Sequence, residues 1–462
     1  MTFDSKKKAH FNQELLIQTI QKRIARSYKS LAYKGVSVTH IMCVYIYWKA
    51  IANSEISQKP DDKTIINHVN LTVDDLFIRS KLSKRKFYLK FKKDIKNWLL
   101  SYKNKEKSSL QLDYLINIEA EKYYNFIKPI AQQLVDKGFK VGFLIYSNIQ
   151  VKESEDFFYI NYESFKTHSF PKFWKKTYLN AYYSYQLIES VYSVYKRLNF
   201  PKTILVEGDN ATQIIVGYLS KKYNFKSICI QWGYAGGTSV YKLGWRNMPY
   251  SSLLTWGDFF TNSFRKQNKD LNIITSGHPL MNELPEEQNH IKDVILFAIP
   301  KEMPPYVIKK DVIEFIKKAI DFCNENTSYK VRFRTHPNFN FDKELSKGLR
   351  NINDIELHNY FTHSLATSFL NVKYCISVGS TISLESINYG CIPVFMQMND
   401  IPLLIYSELK NILNYPFVIK KQERIKEALN NIADFNISVN YFRNYFFINK
   451  KENLIINHIV ND

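Results

Sequence analysis

Val331-Arg332-Phe333-Arg334-Thr335-His336-Pro337 is followed, after a spacer, by Cys375-Ile376-Ser377-Val378-Gly379-Ser380-Thr381-Ile382-Ser383-Leu384-Glu385 and then by Gly390-Cys391-Ile392-Pro393-Val394-Phe395. Two apolar, strand-like runs each end in a polar cluster. The second cluster opens a helix, which stops at a glycine before a third strand. A strand that delivers Gly-Ser-Thr-x-Ser to a helix start prepares an anion site, because the first backbone N–H groups of a helix lack intrahelical partners. The Arg and His arrive from a neighbouring strand end, where open α/β sheets hold their ligands.

The same rhythm extends in both directions. Downstream of residue 289, strands are predicted at Asp293–Ala298, Lys330–Arg334, Ile355–Leu357, Tyr374–Ser377, Ile392–Met396 and Phe417–Ile419, with helices between them. Upstream, Tyr114–Ile118, a helix over Ala120–Lys137 closed by Gly138, and Lys140–Tyr146 read as a βαβ unit. Further strands are predicted at Thr203–Val206, Ser227–Gln231, Leu253–Trp256 and Asn272–Thr275. Alternation this regular predicts parallel sheets covered on both faces. The expected architecture is α/β, with two Rossmann-like parallel-sheet domains facing a cleft and a basic helical N-terminal extension. The expected divisions are a basic helical region at 1–109, an acceptor domain at 110–288, a donor domain at 289–440 and a C-terminal helix at 441–462.

A chain of 462 residues exceeds one ordinary core, in keeping with that division. Its five cysteines show no pairing or CxxC spacing, which fits a reducing cytoplasm and argues against a zinc site. The polar, basic start lacks the apolar run of a secretory signal. Val36–Ala52 is interrupted by Thr39, His40 and Lys49 and reads as a buried helix rather than a membrane span. The net charge of +21 points toward nucleic acid, an anionic membrane face or an acidic substrate. Lys84–Lys105 mixes lysines with Phe87, Tyr88, Phe91 and Trp98, as a helix lying on an anionic bilayer would, or one with its apolar side in a core. No nucleic-acid module accompanies the charge. No GxGxxG, Walker, HExxH or DxD motif is present, so no metal is expected.

The candidate residues follow from these placements. His336, turned outward by Pro337, would serve as an acid or phosphate donor, with Arg334 on the same strand face. Gly379, Ser380, Thr381 and Ser383 exceed what simple capping needs and would bind phosphate. Glu385 would accept sugar hydroxyls or complement the helix dipole. Glu207 or Asp209, at a strand end in the other domain, would take a proton from an acceptor hydroxyl, while Asp209 or Asn210 is also placed to cap the next helix. Trp232 and Tyr234, beside the flexible Gly236-Gly237, would stack on a sugar ring.

On these residues the chain resembles a GT-B glycosyltransferase. Arg334-Thr335-His336-Pro337 and Gly379-Ser380-Thr381 resemble the His-Pro and Ser-Ser/Thr motifs of bacterial sialyltransferases, and similar arrangements occur in capsule-type Kdo transferases and wall-polymer glycerophosphotransferases. The family's acidic pair followed by glycine is replaced here by Glu207-Gly208-Asp209. The resemblance implies metal-independent transfer of a sugar from a nucleotide-linked donor, CMP-linked by preference, to an oligosaccharide or lipid-linked glycan in surface polysaccharide or lipopolysaccharide synthesis. His336 would be the acid or phosphate partner, Ser380 and Thr381 the phosphate ligands, and Glu207 or Asp209 the base. The enzyme would be cytoplasmic, peripheral on the inner face of the cell membrane. A nucleotide-sugar 2-epimerase or a CDP-polyol phosphotransferase of the same fold is the alternative, and a nucleic-acid-binding protein or non-catalytic scaffold a more distant one.

Overall fold

The structure is a computed structural model that describes residues 15, 18–20, 22–24, 31–51, 63–64, 66–67, 69–70, 110–146, 149–165, 182–208, 210–233, 248–280, 292–300, 302, 307–325, 328–336, 355–359, 362–378, 380–398, 418–433, 443–444, 446–447 and 454–461. Lys84–Lys105, Asp209, Tyr234, Gly236, Gly237, Pro337 and Gly379 lie outside the described residues. The chain divides into two compact units. One comprises Asn12–Ala52, Asp62–Asn282 and Lys450–Asp462; the other is dominated by Glu283–Asn449.

The first unit opens with an antiparallel hairpin, β1 (Ala32–Tyr33) and β2 (Val36–Ser37), and a helix, Val38–Ile51. Ile41, Val44, Ile46 and Tyr47 of this helix are buried, in keeping with its apolar sequence. Polar contacts fasten the hairpin to helix Tyr182–Arg197. Lys34 Nζ lies 2.7 Å from Glu189 and 3.4 Å from the centre of the Tyr192 ring, and the Tyr33 hydroxyl donates to Glu189 at 2.7 Å.

The sheet of this unit contains β3 (Tyr114–Ile118), β4 (Val141–Ile145), β5 (Phe158–Asn161), β6 (Lys202–Val206), β7 (Ser227–Ile230), β8 (Ser252–Thr255) and β9 (Asn272–Thr275). Their spatial order is β5-β4-β3-β6-β7-β8-β9, and every pairing is parallel. All residues of β3, β7 and β8 are buried, as expected of strands covered on both faces. Helix Glu121–Asp136 covers one face with Tyr123, Tyr124, Phe126, Ile127, Ile130, Ala131 and Leu134, which recur at helical spacing. It ends at Gly138, whose φ of +88° few other residues adopt cheaply. There Phe139 N–H returns to Leu134 O at 3.1 Å and Gly138 N–H to Val135 O at 2.7 Å, closing the last turn. The C-terminal helix Leu454–Asn461 comes back to this core and buries Ile455, Ile456 and Ile459 in it.

The second unit holds β10 (Val294–Ala298), β11 (Lys330–Arg334), β12 (Ile355–His358), β13 (Val372–Ser377), β14 (Ile392–Met396) and β15 (Val418–Ile419) in the order β12-β11-β10-β13-β14-β15. This sheet is parallel throughout. Helix Lys309–Glu325 buries Phe315 and Phe322 against Phe297, which stacks on Phe333 with centroids 5.4 Å apart.

Both sheets are doubly wound. Each starts on a central strand, works outward on one side, then crosses back to the other. The reversal falls between β3 and β6 in the first unit and between β10 and β13 in the second. Crossovers diverge at such a point, and the C-terminal strand ends leave a crevice there.

Candidate functional site

In the second unit, β13 ends at Ser377, and Ser380 is the N-cap of helix Thr381–Asn388. Ser380 has the extended backbone of an N-cap (φ −83°, ψ 150°), but its side chain makes no capping bond. The hydroxyl most suited to closing its own helix is therefore not used for that purpose. Ser383 behaves differently. It is fully buried, its hydroxyl is hydrogen-bonded to Ser377, and its carbonyl accepts from Ser386 Oγ at 2.7 Å. The helical phase turns Ser383 inward, where it ties the helix start to the strand end. Of the four donor-site candidates around this turn, Ser380 and Thr381 are half-buried at the helix start, Ser383 faces the core and Gly379 is not described. Glu385 is half-buried one turn on, and its charge, after burial itself, helps to push the Tyr389 hydroxyl up to about 12.

The arginines of β11 are structural anchors. Arg334 is 4% exposed, and its Nη1 donates to the carbonyls of His363 at 3.0 Å and Ser364 at 3.4 Å and to Ser368 Oγ. Arg332 donates to the carbonyls of Ser368 and Leu370, both at 2.8 Å, and pairs with Glu356 at 2.5 Å. Alternation along the strand thus directs both guanidinium groups to the short helix Leu365–Phe369. The sequence reading placed Arg334 on a donor anion; here its Nη1 secures the segment that carries His363 and Ser368. His336 is half-buried just past the end of β11. β11 and β13 flank β10, so His336 and Ser380 leave the same sheet edge two strand spacings, about 10 Å, apart.

The first unit carries the other cluster, at the reversal between β3 and β6. β3 ends at Ile118 and presents Glu119; β6 ends at Val206 and presents Glu207. Glu207 and Gly208 both have left-handed backbones, with φ of +79° and +80°. Packing separately requires glycine at 208, since an added Cβ would lie 2.5 Å from Cys229 Sγ. The turn is fixed from three sides. Gly208 N–H donates to Gln213 Oε1 at 2.6 Å, the Tyr250 hydroxyl donates to Gly208 O at 2.5 Å, and Glu207 N–H donates to Ile230 O at 3.0 Å. A non-glycine residue in this conformation costs about 1–3 kcal/mol, so the surrounding bonds hold Glu207 in a strained state.

Asn210 caps helix Ala211–Tyr223, accepting from Gln213 N–H at 2.9 Å on Oδ1. Its Nδ2 donates to one oxygen of Glu119, and the Thr212 hydroxyl donates to the other. Burial pushes the Glu119 carboxyl up to about 7; the Glu207 charge adds to the rise, and hydrogen bonds from Thr212 and Gln213 oppose it. A phenolic wall completes the site. Tyr146 and Tyr162 stack with centroids 4.4 Å apart, and the Tyr195 hydroxyl donates to Asn117 Oδ1 at 2.9 Å. Burial, and to a lesser degree the charge of Glu119, raises all three phenols.

Glu119 was absent from the sequence reading. Its signal there was a carboxylate directly after an apolar strand, a pattern whose meaning depends on which strands are neighbours. Trp232 is half-buried, with the edges of Tyr123 at 5.2 Å and Phe126 at 4.7 Å and Lys122 Nζ 5.0 Å from its ring centre. Here the indole belongs to the packing under the sheet edge. His278 is buried between Trp256 and Phe126 and accepts from Leu280 N–H at 3.2 Å. Among the described residues, no group of three or more His, Cys, Asp and Glu is arranged to hold a metal ion, and no helix is long and apolar enough to cross a membrane.

No protein-family model and no curated protein matches the sequence. Solved structures match its fold. A Listeria monocytogenes protein assigned as a UDP-N-acetylglucosamine 2-epimerase is 10% identical, with a TM-score of 0.51 over 76% of this chain and 95% of that one. The Neisseria meningitidis UDP-GlcNAc 2-epimerase bound to UDP-GlcNAc is 11% identical, with a TM-score of 0.48 over 76% of this chain and all of that one (100%). The wall teichoic acid polymerase TagF is 12% identical, with a TM-score of 0.47 over 84% of this chain and 97% of that one. The likeness to the Listeria structure is one of fold, two Rossmann-like parallel sheets of the GT-B kind.

Proposed function

We propose that this chain is a metal-independent glycosyltransferase that moves a sugar from a nucleotide-activated donor, CMP-linked by preference, to a glycan acceptor. The observation that carries the reading is the helix start at the switch point of the second unit, whose cap hydroxyl makes no capping bond. The first unit, taken by itself, holds a carboxyl pair beside phenols and amides at its own switch point. The donor phosphate would meet the N–H groups at the start of helix Thr381–Asn388, with Ser380 and Thr381 as hydroxyl partners and His336 toward the departing oxygen. A carboxylate of the first unit would deprotonate the acceptor hydroxyl. Glu207 and Asp209 are the sequence candidates for that role. The displaced charge develops on the phosphate, where the helix start is preorganised to receive it.

The preference for CMP rests on the resemblance of Arg334-Thr335-His336-Pro337 and Gly379-Ser380-Thr381 to the sialyltransferase motifs. The charge of +21 suits an anionic glycan built at the inner membrane face. A 2-epimerase reading is favoured by the fold of the Listeria structure. It differs in needing no acceptor, so formation of an epimeric nucleotide sugar by the protein alone would replace transfer with epimerisation.

The test is a thermal-shift panel of CMP, CDP, UDP, GDP and TDP on wild type and Ser380→Ala. A ligand present at 100 times its Kd stabilises the native state by about 2.7 kcal/mol. A shift with CMP that is lost in the variant supports the reading. A shift with UDP alone moves the donor to a UDP-sugar, and no shift with any nucleotide removes the donor site.

A further inference from the structure

We infer that Glu119 is the general base of the reaction and that Glu207 is a positioning residue acting on it. This rests on the transferase reading and assigns its proton-transfer step to a residue outside the motif that first suggested one.

The geometry separates the two carboxylates. Glu119 sits directly at the end of β3, the strand from which the first sheet is wound in both directions. Its orientation is set at both oxygens, by Asn210 Nδ2 on one and Thr212 Oγ1 on the other. With Gln213 as a third donor, three of the four lone-pair sites of the carboxylate are used and one remains for an incoming hydroxyl proton. A base needs that combination of fixed direction and remaining acceptor capacity. Glu207 stands on a strained turn held by backbone bonds and reaches Glu119 through its charge.

A fully buried amide points independently to a ligand. Asn117 lies on β3 two residues before Glu119, and its Nδ2 has no hydrogen-bond partner. A buried donor left in this condition is rare, and an acceptor oxygen beside Glu119 would satisfy it. Gln213 bears on Glu119 itself, as a donor from helix Ala211–Tyr223.

The other groups facing Glu119 come from every element around it. They are Tyr146 after β4, Tyr162 on helix Tyr162–Phe165, Tyr195 on helix Tyr182–Arg197, and Glu207 after β6. Among the described residues no Lys, Arg or His acts on the carboxyl. Burial without a cation, next to a second carboxylate, holds Glu119 near 7, where a base gives and takes protons readily in neutral solution. In the step itself, the acceptor O–H proton passes to a Glu119 oxygen as the acceptor oxygen bonds to the anomeric carbon. The bond from that carbon to the donor phosphate oxygen breaks, its electron pair leaves with the nucleotide, and Glu119 later returns its proton to water.

The experiment follows nucleotide release against pH from CMP-N-acetylneuraminate and UDP-N-acetylglucosamine, with water or added oligosaccharide as acceptor. Wild type is expected to gain kcat/KM as pH rises through about 7. Glu119→Gln should lose that limb and about 10²–10⁴-fold in rate, while its thermal shift with the bound nucleotide stays unchanged. Glu119→Asp should keep the limb at reduced rate. Glu207→Gln should move the limb to lower pH, and Thr212→Val should move it higher, because one raises and the other lowers the Glu119 titration. These two variants keep the idea testable if substitution at 119 prevents folding. Turnover by Glu119→Gln within about threefold of wild type, or a limb unmoved in both other variants, overturns the assignment while nucleotide binding keeps the transferase reading. No nucleotide shift and no cleavage of any donor by wild type overturns both.

Discussion

Replacing Glu119 by Gln should make the first unit less sensitive to alkali, and the size of the effect follows from its surroundings. In an open chain this carboxyl titrates at 4.5, and in the folded chain near 7, chiefly because burial disfavours its charge. The folded state therefore keeps a proton that the unfolded state gives up between those values. Stability is complete below 4.5, falls as pH rises, and the loss is finished above 7. At 1.36 kcal/mol per pKa unit the full cost is about 3 kcal/mol, and partial exposure of the group trims it to about 2–3 kcal/mol. Gln preserves the shape and can accept from Asn210 while meeting Thr212, but carries no charge. Urea unfolding at pH 5, 6, 7 and 8, followed by tryptophan fluorescence, isolates the effect. All six tryptophans (Trp48, Trp98, Trp174, Trp232, Trp245 and Trp256) fall between residues 12 and 282, within the first unit. Other titrations are common to both proteins and cancel in the difference. From pH 5 to pH 8, wild type should lose about 2–3 kcal/mol relative to Glu119→Gln. Parallel pH profiles would refute the premise that Glu119 is held protonated by its site.

Gly208→Ala combines a left-handed backbone with a Cβ 2.5 Å from Cys229 Sγ. It should cost about 2–5 kcal/mol in the same urea assay, and wild-type stability would contradict the packing at that turn. Ser380→Ala should leave the unliganded melting temperature within about 1 °C, because Ser380 makes no capping bond, where an ordinary cap loses about 1 kcal/mol. Ser383→Ala should instead cost about 1–2 kcal/mol by removing its buried hydrogen bond to the Ser377 hydroxyl, with no effect on nucleotide shifts in calorimetry. His358 is held down to about 4 by burial, then by Arg332, His363 and Arg334, against an opposing pull from Glu356. The unfolded chain takes up that proton first, so the second unit should lose stability as pH falls from 6.5 toward 4. His358→Asn should flatten that fall by about 1–3 kcal/mol in circular dichroism melts.

Strand positions were legible because buried parallel strands are short apolar runs closed by polar or glycine residues; β3, β9, β11 and β14 match their expected bounds. Helices Glu121–Asp136 and Ala211–Tyr223 were equally clear, one from its apolar stripe and Gly138, the other from its Asn210 cap. The edge strand β5 was missed, since Phe158 and Asn161 are exposed and only Ile160 is buried, which leaves no run to recognise. Helix Asp258–Gln267 was also missed, lying in a short gap between two strands. At the helix start after β13, the sequence marked the turn but not its phase, so Ser380 and Ser383 looked equivalent although one is half-buried and the other faces the core. The Nη1 partners of Arg334 were equally hidden, because they belong to residues 363–368, distant in sequence from β11. Glu119 was invisible for a topological reason. Only the spatial order sets β3 beside β6, and residues 119 and 207 are brought together by that pairing alone.

The last helix, Leu454–Asn461, belongs to the core laid down by β3 to β9. Synthesis runs from the N-terminus, so the sheet translated first is sealed last. When residue 449 leaves the ribosome, everything in the second unit is present, whereas the first still lacks Ile455, Ile456 and Ile459 against helix Glu121–Asp136. Tyr114 and Lys202, at the starts of adjacent strands, then have no Ile459 carbonyl to meet. The core of the first unit is thus completed by a segment translated after the second unit, whereas in ordinary vectorial folding an N-terminal domain finishes while the rest is being made.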